Sequence, residues 1–290
     1  MTVGKKITDL TASGSLKDTD LAIVHDGNGT KKSTLTQLSE YIGTKFSNPN
    51  LLINPDFKIN QRGKTSYEVK GFDYTVDRWR ISSSNVAVSE SGGLTIHSTG
   101  SEGSWFTQKL EKELEEIVTL SIKVSSINGK IYLSSPSNNL FITSPGVYSI
   151  TLSNISEFNM FLNQNTSVTI EWAKLEKGSI ATPFVAPNPA EELAKCKRFY
   201  ELINMDTRHA TLIGDKVYVT VDLVPKRITP TCKYFGNFKA IISNSMELPL
   251  TFNSATAIGG SVLQSFDVST STQGDGFCKD FKCTMDAEIY

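Results

Sequence analysis

Cleaving a surface polymer needs paired acids or an activated nucleophile, whereas holding one needs only a shaped, polar and aromatic face. Glu111, Glu113, Glu115 and Glu116 are the densest carboxylates in this 290-residue chain. A glycoside hydrolase uses two carboxylates flanking the scissile bond. These four share one hydrophilic stretch, Lys109–Glu116, which reads as a solvated charge run on a loop or short helical turn. Asp275 and Asp280 flank Cys278, but the regular oxygen-ligand spacing of a calcium loop is missing. There is no Gly-x-Ser-x-Gly elbow, and Gly27-Asn28-Gly29 is a hairpin turn rather than a phosphate cradle. His25, His97 and His209 stand far apart. Cys196, Cys232, Cys278 and Cys283 are too few and too scattered for a zinc site or a disulfide framework. Cys278 and Cys283 stay open between free thiols, a local disulfide and core residues. The expectation is a protein that is not an enzyme and holds no metal and no cofactor.

Binding a sugar requires exposed aromatic faces for the rings and fixed polar groups for the hydroxyls. In the last third of the chain Tyr218, Tyr234, Asn237, Asn253 and Asp267 supply both, with Phe235 beside them. For the aromatics, a place in the core is the competing role. Weak contacts suffice if several copies act together, because linked sites raise effective affinity.

The elements that must position these residues are mainly strands. Ser, Thr and Asn make up 80 of the 290 residues, and these types favour strands, turns and hydrated surfaces over helix interiors. Lys+Arg number 29 against 30 Asp+Glu, a net charge of −1. That argues against a nucleic-acid binder working through a basic surface. No run of 18 or more apolar residues occurs, and the first residues lack the apolar region of a signal peptide, so neither membrane insertion nor export is expected.

Leu21-Ala22-Ile23-Val24, then Asp26-Gly27-Asn28-Gly29, then Thr30–Ser33 predict strand, turn and strand. Thr34 and Gln37 form a capping box, opening a helix whose apolar stripe is Leu35, Leu38, Tyr41, Ile42 and Phe46. Residues 1–47 are too few to be stable alone and call for a partner or copies of themselves. Asn48-Pro49-Asn50 ends that unit. Beyond it Val118, Leu120, Ile122 and Val124 alternate as a half-buried strand, and Asn128-Gly129 reads as a hairpin turn into Lys130–Leu133. After Pro145-Gly146, Tyr148, Ile150 and Leu152 alternate, and Val168, Ile170 and Trp172 close the series. Asn188 caps a helix with Pro189 in its first turn and Glu191 and Glu192 at its positive end. Leu193, Cys196, Tyr200 and Ile203 follow at spacings of a short coiled-coil seam. From 204 onward the pattern is again β, including alternation over Lys216–Val224.

Two long segments carry a family resemblance. One is Asn50-Leu51-Leu52-Ile53-Asn54-Pro55-Asp56-Phe57-Lys58-Ile59-Asn60-Gln61-Arg62-Gly63, with Tyr74-Thr75-Val76-Asp77-Arg78-Trp79 after it. The other is Trp172–Phe184, followed by Glu191–Tyr200. Together they resemble the carbohydrate-module-like jelly-roll domain of tail fibre and receptor-binding proteins of bacteriophages and prophages. Ile7-Thr8-Asp9-Leu10, Asp20-Leu21 and the Gly27–Leu38 segment look like the attachment module of such fibres. In physical terms Asn54 and Asp56 suit a turn that bonds nearby backbone N–H groups. Asp77-Arg78-Trp79 sets a carboxylate–guanidinium pair beside an aromatic, first as a brace and second as a ligand site.

The resemblance and the pattern together imply a mainly all-β chain in four parts. Residues 1–47 form a hairpin-plus-helix virion-attachment module and 48–187 a jelly-roll β-sandwich. Residues 188–203 form a helical neck with Leu193, Cys196, Tyr200 and Ile203 on a homotrimer axis, and 204–290 a β head at the receptor-binding tip. The implied function is non-catalytic attachment of a virion to bacterial surface glycans, by a protein made in the host cytoplasm. Alternatives are a capsid (head) fibre of the same architecture and a polysaccharide-degrading tailspike.

Overall fold

The computed structural model describes residues 15, 17–25, 27–43, 45–89, 92–135, 138–206, 208–222, 224–242, 246–258, 261–268 and 274–290. Strands hold 57% and helix 7%, so the protein is all-β, with two helices among the described residues. The chain divides into a small unit, Met1–Pro49 with Ile180–Val185, and a large one, Asn50–Ser179 with Ala186–Tyr290.

In the small unit β1 (Leu21–His25) pairs antiparallel with β2 (Thr30–Thr34), and α1 (Leu35–Gly43) follows at once. The capping box forms as expected. The Gln37 N–H donates to Thr34 Oγ1 at 3.1 Å, and the Thr34 N–H donates to Gln37 Oε1 at 3.0 Å. The helix stops at Gly43, so Phe46 lies beyond it, and none of its residues is buried. Tyr41 and Phe46 are 64% and 69% exposed. The N-terminal motif Ile7–Leu10 lies outside the described residues.

The large unit opens with ten strands: β3 (Ser66–Tyr74), β4 (Arg80–Val88), β5 (Leu94–Ser98), β6 (Ser104–Leu114), β7 (Val118–Asn128), β8 (Ile131–Ser135), β9 (Asn138–Ile142), β10 (Gly146–Leu152), β11 (Ile155–Leu162) and β12 (Ser167–Lys177). They pair in the order β10-β7-β12-β5-β4-β6-β11-β8-β9, with β3 on β4. Consecutive strands pair only at β3–β4, β4–β5 and β8–β9 among the described residues, the other pairings joining strands apart in sequence, and one core cluster draws on the whole ladder. Val118, Leu120, Ile122 and Val124 are buried as expected, but Thr119 and Ser121 between them are buried too, so the first half of β7 is covered on both faces rather than half-buried.

Three local expectations need correction. Lys109–Glu116 is neither loop nor helical turn, because β6 runs through Leu114. Asn128-Gly129 is not a hairpin: β7 pairs with β10 and β12, whereas β8 pairs with β11 and β9. Gly129, at φ 113°, lets the chain turn this corner where a Cβ would lie 2.5 Å from Thr166 Oγ1. In β12 the register shifts between Ile170 and Trp172, so Ala173 and Leu175 take the inward places in the second half of the strand.

The Asn50–Asn60 motif is a brace. Asn54, at φ 56°, accepts the Ile59 N–H at 2.9 Å and donates to the carbonyls of Ile59 and Asp77. Its own carbonyl takes the indole N–H of Trp79 at 2.8 Å. Trp79 stacks on Phe106 at 4.8 Å and meets Phe57 and Phe158 edge-on. The helix α2 (Pro189–Lys197) is capped by Asn188, and its buried Glu192 accepts the Asn54 N–H at 2.6 Å.

The helical neck is overturned beyond Lys197. Tyr200 and Ile203 belong to strand β13 (Tyr200–Asn204), whose partner is the last strand of the chain, Tyr200 opposite Asp286. Cys196 and Ile203 are buried within this chain, and Leu193 is half-buried. A nine-residue helix has little intrinsic stability, and an open strand edge offers the next residues a full ladder of hydrogen bonds. The four residues therefore form no single helical seam.

After β13 come β14 (His209–Ile213), β15 (Lys216–Asp222), β16 (Thr231–Ile242), β17 (Met246–Pro249), β18 (Thr251–Ile258), β19 (Ser261–Asp267) and β20 (Gly274–Asp286). They form a second sheet in the order β17-β16-β20-β14-β15-β19-β18, with β13 on β20. Ala287–Tyr290 is not a strand, but Ala287 and Glu288 are buried.

That terminus meets the first sheet in a sealed polar junction. Arg78 does not pair with the adjacent Asp77. Its Nη1 binds Glu288 Oε2 at 2.6 Å, 210 residues on, and its guanidinium lies 3.7 Å over the Phe199 ring. Arg62 takes Asp77 at 3.2 Å, approaches Glu288 at 3.7 Å, and covers Tyr200 at 3.8 Å. Gln61 Nε2 bridges Asp77 Oδ2 and the Tyr200 carbonyl. Asp77 is buried, and that burial pushes its carboxyl up to about 7 although Arg62 and Gln61 pull it down.

Candidate functional site

The site is the outer face of the second sheet. A two-residue turn, Gly214-Asp215 with Gly214 at φ 66°, joins β14 to β15 and pairs Ile213 with Lys216. Alternation then sends Ala210, Leu212, Val217, Val219 and Val221 into the core. The other side of the same strands presents His209, Thr211, Ile213, Tyr218 and Thr220. With Leu263 of β19 these residues line a recess of about 450 Å³.

Cross-strand register decides which polar groups face that recess. Thr211 stands between Tyr218 on β15 and Asp275 on β20, and His209 stands opposite Phe277. Thr211 donates its hydroxyl to Asp275 Oδ1 at 3.0 Å, and His209 Nε2 lies 3.7 Å from the same oxygen. The recess thus offers one phenol ring, two threonine hydroxyls, an imidazole and a carboxylate on a rigid strand surface.

The same face continues to Asp267. Lys216 Nζ binds Asp267 Oδ1 at 2.8 Å, and Asn253 Nδ2 donates to both of its oxygens, at 2.9 and 2.8 Å. These contacts, Lys216 first, hold the Asp267 carboxyl below its usual range, and Asp267 in turn raises Lys216.

Three of the five predicted ligand residues therefore share this face: Tyr218, Asn253 and Asp267. Tyr234 does not. It pairs with the buried Cys283 and packs on Phe252 at 4.4 Å and Phe266 at 5.6 Å, on the core side of the sheet. Asn237 sits in β16 where the register shifts between Gly236 and Lys239, and its side chain lies outside the described residues. His209, Thr211, Thr220 and Leu263 were not singled out by sequence. The signal was the β14–β15 alternation, which names a face only once the turn at Gly214 fixes the register.

Elsewhere the candidate acids are tied up or solvated. Glu111 is held by both terminal nitrogens of Arg198, and Glu116 pairs with Lys177. Glu113 and Glu115 are exposed. All four cysteines are free thiols. Cys196, Cys278 and Cys283 are buried, and burial pushes the Cys278 thiol up to about 12. Asp280 lies outside the residues with described side chains. Among the described residues no three His, Cys, Asp or Glu side chains gather as metal ligands, and no helix is long and apolar enough to cross a membrane.

No family model matches the chain, and no curated protein does. Among solved structures, a cycloisomaltooligosaccharide glucanotransferase of Paenibacillus sp. complexed with cycloisomaltoheptaose aligns at 9% identity with a TM-score of 0.24. The alignment covers 80% of this chain and 47% of that one, so the chain spans about half the length of that enzyme. A likeness this slight carries no weight for fold or function.

Proposed function

We propose that the chain is a virion appendage that attaches a phage to bacterial surface glycans by recognition without catalysis. The observation that carries this reading is the recess of the second sheet. Tyr218 supplies a ring face there, and Thr211, Thr220, His209 and Asp275 supply hydroxyl-matching groups on a rigid frame. In this reading the small unit docks to a virion protein of tail or capsid, and its uncovered Tyr41 and Phe46 supply apolar surface for that contact. The homotrimer belongs to the proposal on the family resemblance alone, without the seam at Leu193, Cys196, Tyr200 and Ile203.

Removing residues 204–290 is a poor test, because it takes Glu288 away from the buried Arg78. A point substitution is cleaner. Full-length protein should block adsorption of phage to susceptible cells, and Tyr218→Ala should block it at least about tenfold less well. Reducing ends should not accumulate when the protein is incubated with host polysaccharide. A rise in reducing ends would favour the tailspike alternative, and failure of the unaltered protein to compete would end the attachment reading.

A further inference from the structure

The first sheet carries a second aromatic surface that no sequence motif marks. In β6, β11 and β8 the inward positions are Phe106, Met160, Leu162, Ile131 and Leu133, all fully buried. Their neighbours Trp105, Phe161 and Tyr132 therefore point outward. Register sets them side by side: Trp105 opposite Phe161, Phe161 opposite Tyr132, and Tyr132 opposite Phe141 of β9. The result is one row of four rings across four strands, with centroid steps of 4.8, 4.9 and 5.5 Å.

The row is held in place from beneath. Gly103, at φ 103°, lies so near Phe161 that a Cβ there would come within 2.4 Å of the ring. The backbone N–H of Trp105 donates to Ser82 Oγ at 2.8 Å. Polar groups flank the rings: Asn159, two residues from Phe161 on the same side of β11, donates to Glu157 at 3.0 Å, and Lys130 Nζ sits 4.0 Å over Phe141.

We propose that this row is a binding site for a neutral oligosaccharide, whose successive sugar rings stack along Trp105, Phe161, Tyr132 and Phe141. The rings are tilted to one another by 65°, 32° and 59°, so at the strand interval of about 4.8 Å they form a stepped row of faces and edges along which a ribbon-like chain can lie. Other occupants fit less well. Single-stranded nucleic acid also stacks on aromatic rows, but it needs a positively charged groove alongside. Among the described residues Lys130 is the cation over this row, and the whole chain has a net charge of −1. A second copy of the chain needs about 800 Å² per partner. Trp105 is 37% and Phe141 56% exposed, and Tyr132 and Phe161 are half-buried, so the four rings present on the order of 300 Å².

The site is separate from the recess on the second sheet, and the test keeps the two apart. Trp79 is buried, Trp172 is half-buried on β12 and Trp105 is exposed on β6, so the part of the fluorescence response that Trp105→Phe removes is the part that reports on this row. The probes are short neutral oligosaccharides, one series glucose-based and one based on N-acetylglucosamine. At least one series should change the Trp105 emission saturably and without strong salt dependence. Phe141→Ala, at the exposed end of the row, should weaken that binding about tenfold, and Trp105→Phe should abolish the signal while binding followed by calorimetry persists. Tyr218→Ala should leave it unchanged even if it abolishes adsorption blocking. The proposal is overturned by no response to either series at millimolar sugar, or by equal affinity in Phe141→Ala. It is also overturned by a salt-sensitive response to oligothymidylate in place of sugar, or by self-association that Phe141→Ala removes.

Discussion

The junction at Arg62, Asp77, Arg78 and Glu288 and the recess at His209, Thr211, Tyr218 and Asp275 are built from the same kinds of residue. Each sets carboxylate and cationic or polar groups against aromatic rings. At the junction everything is sealed: Asp77 and Glu288 are buried, and Phe199 and Tyr200 close over the guanidinium groups. At the recess His209 and Asp275 stand in solvent. Burial turns such a cluster into a joint between segments distant in sequence, and exposure leaves it available to a ligand. Residue type alone does not separate the two roles.

The sharpest way to break the comparison is to disturb the sealed side. Glu288→Gln keeps the shape but leaves Arg78 buried without its counter-ion. Losing one partner of a buried pair costs about 3–5 kcal/mol, and urea unfolding should show a loss of that size. Replacing both partners, Arg78→Met with Glu288→Leu, should recover most of it, because two buried charges are then no longer desolvated. If the single variant unfolds at the urea concentration of the unaltered protein, the junction is not a joint.

Acidity probes the same cluster with a smaller expected effect. Burial raises the Asp77 carboxyl to about 7 in the folded protein, well above its value in an open chain. The folded state therefore binds this proton more tightly than the unfolded state does. The stability that Asp77 contributes is complete below the unfolded value near pH 4 and is lost as pH rises through about 7. Relative to Asp77→Asn, the unaltered protein should lose on the order of 2–4 kcal/mol across that window. A relative loss of stability on acidification instead would show that Arg62 outweighs burial.

These two clusters also show what a sequence can and cannot reveal. Short-range rules worked for several caps and alternations, though not for the Asn128-Gly129 turn, whose flanking strands pair elsewhere. Thr34 with Gln37, Asn188 with Pro189, and the Val118–Val124 alternation each depend on residues within a few positions. Long-range pairing was not legible. Asp77 and Arg78 are neighbours in sequence, yet they bind Arg62 and Glu288, because the backbone at Arg78, with φ 72°, turns the two side chains apart. Tyr200 and Ile203 kept helical spacing but joined β20, where their partners Asp286 and Cys283 lie far downstream in the sequence. Trp105, Phe161, Tyr132 and Phe141 are ordinary alternation partners until register sets them in one row. Tyr218, Asn253 and Asp267 were legible as polar or aromatic strand residues. Tyr234 looked the same and differs only in which face it takes.

The open side should respond in binding rather than in stability. Tyr218→Ala should change the unfolding midpoint by no more than a typical surface substitution, about 0.5 kcal/mol, while adsorption blocking falls about tenfold. A large stability loss with the same binding loss would move Tyr218 to the structural side of the comparison.

The smallest expected effect concerns Asp267, at the edge of the same face. Its carboxyl is held down first by the Lys216 ammonium and then by the Asn253 amide. Lys216→Met removes the larger influence and leaves the amide, so the Asp267 carbon resonance should titrate at higher pH than in the unaltered protein. Asn253→Ala should move it in the same direction by less. Both groups are solvent-facing, so water and salt screen the pair, and neither variant should shift the unfolding midpoint measurably. The opposite order of the two titration shifts would mean that the hydrogen bonds from Asn253, not the one from the Lys216 ammonium, fix this carboxylate. In that case the face would be organised by neutral donors, the arrangement better matched to sugar hydroxyls than to an ion.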